Sequence, residues 1–96
     1  MKILAICGMG LGSSMILKIT LEKVIRNLGI DAVVDVTDIN AGRSQAEMAD
    51  IVVTSAELAE RIGGVKAQII TVKDYFDVNE MTEKLKQAIE QIKKEQ

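Results

Sequence analysis

Histidine is absent from this 96-residue chain, and cysteine occurs once, as Cys7. Without imidazole the chain cannot by itself assemble a Ser-His-Asp triad, a Cys-His pair, a histidine-borne phosphate or an imidazole zinc site. One cysteine can close neither an internal disulfide nor a thiolate metal cluster, which fits a reducing, cytoplasmic setting. Aromatics are scarce as well, Tyr75 and Phe76 being the two. With 12 basic against 14 acidic residues and a net charge of −2, the chain offers neither the basic surface nor the stacking platform that nucleic acid requires. No apolar run reaches the ~18 residues of a membrane span. The opening Met1-Lys2-Ile3-Leu4-Ala5-Ile6 is short for a signal peptide and lacks a small-residue cleavage site, so it reads as a strand.

What is present is an ordinary globular composition, 48% hydrophobic and 27% charged. At this length it is expected to form a single domain over residues 1–96, with one core and no need of disulfides. Ile3 to Ile6 is a continuous apolar run ahead of glycine, as in a strand buried on both faces. From Ser14 to Leu28, Leu17, Leu21, Val24, Ile25 and Leu28 recur at helical steps, and Gly29 stands at C′. Ala32 to Val36 is β-branched and reads as a second strand. Asp38 to Ala49 is polar, then weakly helical, and reads as a loop with a short helix. Ile51-Val52-Val53 is a third strand. Thr54 and Glu57 have capping-box spacing ahead of a short helix with Leu58, Ala59 and Ile62, ended by Gly63-Gly64. Gln68 to Val72 is the fourth strand. Asp77 and Glu80 repeat the capping-box spacing before a helix striped by Met81, Leu85, Ala88, Ile89 and Ile92. Its lysine-rich last turn suits the helix dipole.

Strand and helix in alternation predict an α/β fold with a four-stranded parallel sheet, strand order 2-1-3-4, and helices on both faces. In such sheets the ligand site lies beyond the carboxyl ends of the strands, at the switch point between strands 1 and 3. The segment at that point begins at Cys7.

Cys7-Gly8-Met9-Gly10-Leu11-Gly12-Ser13-Ser14 is the most informative stretch. Alternate glycines allow a sharp turn, and successive backbone N–H groups can converge on an anion. Ser13 and Ser14, at the expected helix start, can cap it or donate hydroxyl hydrogen bonds, and the helix N-terminus adds positive partial charge. A thiol there is placed to act as a nucleophile, and the same N–H groups would hold a phosphoryl group transferred to it. The bland alternative is a small buried hydrophobe at a strand end.

Several phosphate motifs come close and fail. A Walker loop needs lysine after its last glycine, where Ser13 stands. The dinucleotide fingerprint needs glycine where Ser13 stands, although Asp31 or Asp35 could pose as its ribose-binding acid. Gly10 breaks a redox C-x-x-C. Low-molecular-weight tyrosine phosphatases carry C-x-x-x-x-x-R-[ST], and here the arginine position is Ser13. Without that bidentate cation the loop suits holding a phosphoryl group better than hydrolysing it.

On these residues the chain resembles the IIB component of the bacterial sugar phosphotransferase system. It is most similar to the ascorbate type, whose loop reads C-G-x-G-x-G-S-S with a lysine four residues on, here Lys18. The galactitol and lactose/cellobiose types share the cysteine and its context. The resemblance covers the whole chain and implies a Rossmann-like, phosphatase-like sheet. It further implies that a IIA phosphohistidine protein phosphorylates Cys7, which passes the phosphoryl group to a sugar bound in the membrane IIC transporter. Gly8, Met9, Gly10, Leu11, Gly12, Ser13 and Ser14 would form the phosphate-holding loop, with no cofactor and no metal. A small cysteine phosphatase and a non-catalytic anion-binding regulatory module are the competing readings.

Other positions are secondary candidates. Thr54 and Ser55 follow strand 3 and should approach Cys7, or else cap a helix. Asp38, Asn40 and Arg43 follow strand 2, as a partner-facing or merely solvated loop. Met9 and Leu11 suit apolar docking contacts. Lys18 could meet an acidic partner. Tyr75 and Phe76 are expected to pack the last helix.

Overall fold

The structure is a computed structural model that describes residues 1–8 and 11–95, and for residues 11–14 the backbone alone. The elements are β1 (Lys2–Cys7), α1 (Leu11–Leu28), β2 (Val33–Asp38), α2 (Ile39–Ala46), β3 (Ile51–Thr54), α3 (Ala56–Ile62), β4 (Gln68–Thr71) and α4 (Val78–Glu95). The strands form one sheet in the order β2-β1-β3-β4, all neighbours parallel, as the alternation predicts.

β1 is central, pairing with β2 from Lys2↔Val33 to Cys7↔Asp38 and with β3 from Ile3↔Ile51 to Ala5↔Val53. Its side chains alternate between two cores, the period-2 rule for a strand covered on both faces. Ile3, Ala5 and Cys7 join the core shared with Leu17, Leu21 and Val24 of α1 and Met81, Leu85 and Ala88 of α4. Leu4 and Ile6 join the core under Ile39 and Ala46 of α2 and Leu58 and Ile62 of α3.

The helix ends follow local chemistry. Gly29 takes φ +69°, and its N–H reaches the Arg26 carbonyl at 3.2 Å while that of Ile30 reaches Ile25 at 3.1 Å. These two bonds make a Schellman stop after α1. The start of α1 differs from expectation. The helix begins at Leu11, not Ser14, so Ser13 and Ser14 lie inside its first turn and are not its N-cap.

The segment read as a loop with a short helix after strand 2 is helical at once, from Ile39 to Ala46. Asp38 caps it, its Oδ1 accepting from Ala41 N at 2.9 Å. The buried face of α2 is Ile39, Gly42 and Ala46. A Cβ on Gly42 would stand 2.7 Å from Ile6 Cδ1, so this helix lies so close to β1 that a side chain at that position would force Ile6 to shift. Arg43 lies on the same helix and is exposed.

Two capping assignments are refined. Ser55, not Thr54, is the N-cap of α3, its Oγ accepting from Leu58 N at 3.3 Å. Asp77 caps α4 by accepting from Glu80 N at 3.0 Å. Glu80, however, takes the N–H of Lys73 at 2.9 Å instead of returning to Asp77. That bond ties the start of α4 to the end of β4. Among the described residues, no helix is long and apolar enough to cross a membrane.

Candidate functional site

Each strand of the sheet delivers a residue to one cleft at its carboxyl edge, of about 420 Å³. Gly8 comes directly after β1, and Ile39 and Asn40 come from the first turn of α2, after β2. Ser55 follows β3 and is joined by Glu57, Leu58 and Arg61 of α3. Tyr75 comes from the turn between β4 and α4. The cleft therefore sits where the change of winding direction leaves the strand ends uncovered, as open α/β sheets dictate. Larger grooves of about 500 and 480 Å³ run along β4–α4 and α1–β2. Cys7 lines none of the three, the cleft being reached from β1 through Gly8, and Lys18 faces the second of the larger grooves.

Cys7 ends β1 beside Asp38 and is 2% exposed, part of the core under α1 and α4. The sulfur thus belongs to one face of the sheet, whereas Ile39 and Leu58 in the cleft belong to the other. Tyr75 connects the two. It lines the cleft and also packs against the core that holds Cys7. Burial, the negative charge of a Cys7 thiolate and a hydrogen-bond contact with Cys7 all push the Tyr75 hydroxyl above its usual 10, while a contact with Ser55 pulls it back. The backbone around Tyr75 is pinned: Asp74 Oδ1 accepts from Phe76 N at 2.9 Å and the Asp74 carbonyl from Asp77 N at 3.1 Å.

The sequence candidates separate in space. Ser55 lines the cleft while capping α3. Thr54 is fully buried and its Oγ1 donates to the Ile6 carbonyl at 2.8 Å, a bond that ties β3 to β1 immediately before Cys7. Gly8 is part of the cleft wall, where a Cβ would stand 3.7 Å from Leu58 Cδ1. Asn40 is in the cleft, and Asp38 is a cap. Met9 and Gly10 lie outside the described residues, as do the side chains of Leu11, Ser13 and Ser14 and the surroundings of Gly12. The N–H groups of residues 11–13 belong to the first turn of α1, which has no intrahelical acceptors for them.

Tyr75 and Arg61 escaped the sequence reading. Tyr75 and Phe76 were expected to pack the last helix; Phe76 is 69% exposed, whereas Tyr75 packs against the core that α4 shares and in addition lines the cleft at the strand ends. The available signal was its position just after the fourth strand, on the edge where ligands bind. Arg61 carried none, being one charged residue on a short amphipathic helix. Among the described residues, no group of three or more histidine, cysteine or carboxylate side chains could hold a metal ion.

Comparison with known proteins adds to this geometry. Residues 2–87 match the family "PTS system, Lactose/Cellobiose specific IIB subunit". An "Ascorbate-specific PTS system EIIB component" of Mycoplasma pneumoniae is 32% identical over 90 residues, 93% of this chain and 95% of that protein. A protein of the same description from Escherichia coli O157:H7 is 36% identical over 61 residues, 64% of this chain and 60% of that one. The lactose-specific IIB domain of Streptococcus pneumoniae shares the fold, with TM-score 0.54 at 15% identity over 98% of this chain and 95% of that domain.

Proposed function

Because the chain belongs to the PTS IIB family and is thus a phosphotransferase component of sugar transport, we propose that Cys7 is the residue that carries the phosphoryl group. In this reading a phosphohistidine on a IIA protein donates to Cys7 Sγ, and the phosphocysteine donates to a sugar held by a membrane IIC transporter. The sugar is ascorbate or a related compound, a choice supported by the names of the relatives.

The observation that carries the proposal is the position of Cys7 at the carboxyl end of the central strand, four residues before the first turn of α1. Phosphoryl transfer asks a protein mainly for positioning and for charge stabilisation. β1, hydrogen-bonded on both sides, supplies the positioning. Residues 8–14 supply the charge stabilisation, through the N–H groups of the first helical turn and the hydroxyls of Ser13 and Ser14. No arginine follows in the loop as it does in cysteine phosphatases. The phosphoryl group is therefore held by dipoles, not by a cationic clamp, and remains transferable.

Incubation with phosphoenolpyruvate, the general phosphotransfer proteins and a verified IIA partner should add one phosphoryl group, and Cys7→Ser should abolish the labelling. An unlabelled wild-type protein in that assay overturns the proposal. Hydrolysis of an aryl phosphate by the chain alone would favour a phosphatase instead.

A further inference from the structure

β1 is held unevenly at the end that carries Cys7, and the following inference rests on the assignment of that residue as the phosphoryl carrier. On the β2 side the pairing runs through to Cys7↔Asp38. On the β3 side it stops at Ala5↔Val53. β3 ends one residue later at Thr54, and Ser55 leaves it to cap α3. Beyond Ala5 a side chain continues the connection: Thr54 Oγ1 donates to the Ile6 carbonyl at 2.8 Å. That carbonyl and the N–H of Cys7 belong to one planar peptide unit, so a bond that fixes the oxygen also fixes the plane from which the Cys7 Cα departs. Thr54 is itself held. It is 0% exposed, it stands in register with Thr71 of β4, and its own carbonyl accepts from Val72 N at 2.9 Å. A hydroxyl so enclosed needs an acceptor wherever it lies. The place of this acceptor sets it apart. The hydroxyls of Thr20 and Thr82 bond to the carbonyls of Ile16 and Val78, one turn back in their own helices. That of Thr54 crosses to another strand, at the peptide that leads into the sulfur-bearing residue.

We propose that Thr54 is a positioning residue for phosphoryl transfer, its hydroxyl holding the Ile6–Cys7 peptide so that Cys7 Sγ keeps one position at the end of β1. In the step it serves, the N–P bond of the donor imidazole breaks with its electron pair on nitrogen. Phosphorus bonds to Sγ, and the thiol proton passes to that nitrogen. The attacking and leaving atoms must lie in line, and a misplacement of about 1 Å is enough to slow such a step about a hundredfold. Thr54 touches neither atom and acts through the backbone of Ile6 and Cys7.

Thr54→Val keeps the shape and removes the donor, whereas Thr54→Ser loses a methyl group and keeps the donor. Thr82→Val deletes a hydroxyl-to-carbonyl bond in α4, away from the sulfur. With a verified, phosphorylated IIA protein at saturation, transfer to Cys7 should slow about tenfold in Thr54→Val with KM unchanged. Thr54→Ser should recover the rate to within a factor of about three, and Thr82→Val should match the wild type. Iodoacetamide reads the same sulfur without a partner. Its reaction with Cys7 should quicken about tenfold in Thr54→Val, because the strand end opens more readily, and should stay near the wild-type rate in the other two variants. An unchanged transfer rate in Thr54→Val, the same loss in Thr54→Ser, or an equal loss in Thr82→Val overturns the proposal. Failure of a verified IIA to label the wild type removes the phosphocarrier reading. The hold of Thr54 on the sulfur is then judged by alkylation, and an unchanged rate in Thr54→Val overturns it.

Discussion

Thr54 and Cys7 lie at the ends of neighbouring strands and divide two tasks between them. Thr54 is wholly enclosed, its hydroxyl bonded to the carbonyl of Ile6, the residue before the sulfur. Thr54→Val preserves shape and deletes that bond, and should lower stability by about 1–2 kcal/mol in urea unfolding. Tyr75 sets an alkaline limit. Its hydroxyl is raised by folding, so the folded state holds the proton more tightly than the unfolded chain does. That contribution is complete below pH 10 and is lost as pH climbs from there through the folded value. Denaturant midpoints should fall over that range in the wild type and less so in Tyr75→Phe. That β1 ends at Cys7 was legible in sequence because the glycines after it mark a strand end. The place of Tyr75 in the cleft was not legible, since an aromatic residue between a strand and a helix is expected to pack inward, and Tyr75 does so while also reaching the strand ends.

Among the elements, α2 was the hardest to read and the reason is physical. A helix announces itself through apolar residues at three- and four-residue steps. On α2 one of the three buried positions is Gly42, which contributes nothing to that pattern. The absent side chain is what lets the helix settle against Ile6. Gly42→Val should therefore destabilise the fold by about 2–3 kcal/mol through overpacking, and Ile6→Val in the same chain should recover part of the loss. By contrast α1 and α4 were plain, because wide aliphatic stripes fill their buried faces and Gly29 and Asp77 punctuate them. The first turn of α1 was misjudged by three residues. Leu11, Gly12 and Ser13 carry no helical signature, and the helix extends through them toward the strand end.

Taken whole, the molecule is a sheet whose order followed from its alternating pattern. Four short β-branched runs separated by helical segments leave few right-handed arrangements, and 2-1-3-4 is the one adopted. The cleft at the carboxyl edge was equally foreseeable as a location, while its composition depended on four separate turns that no spacing rule connects. Structural protection should be greatest in the middle strands. The amides of Ile3 to Ile6 should exchange with deuterium only on global unfolding, more slowly than those of β2 and β4.

β1 carries this further. It is held by β2 and β3 at its sides and by helices above and below, and Cys7 is its last residue. A displacement of the sulfur therefore requires the middle of the molecule to give way. If Cys7 is the phosphoryl carrier proposed above, each partner would find its sulfur at the same coordinates, and the burden of adjustment would fall on the visitor.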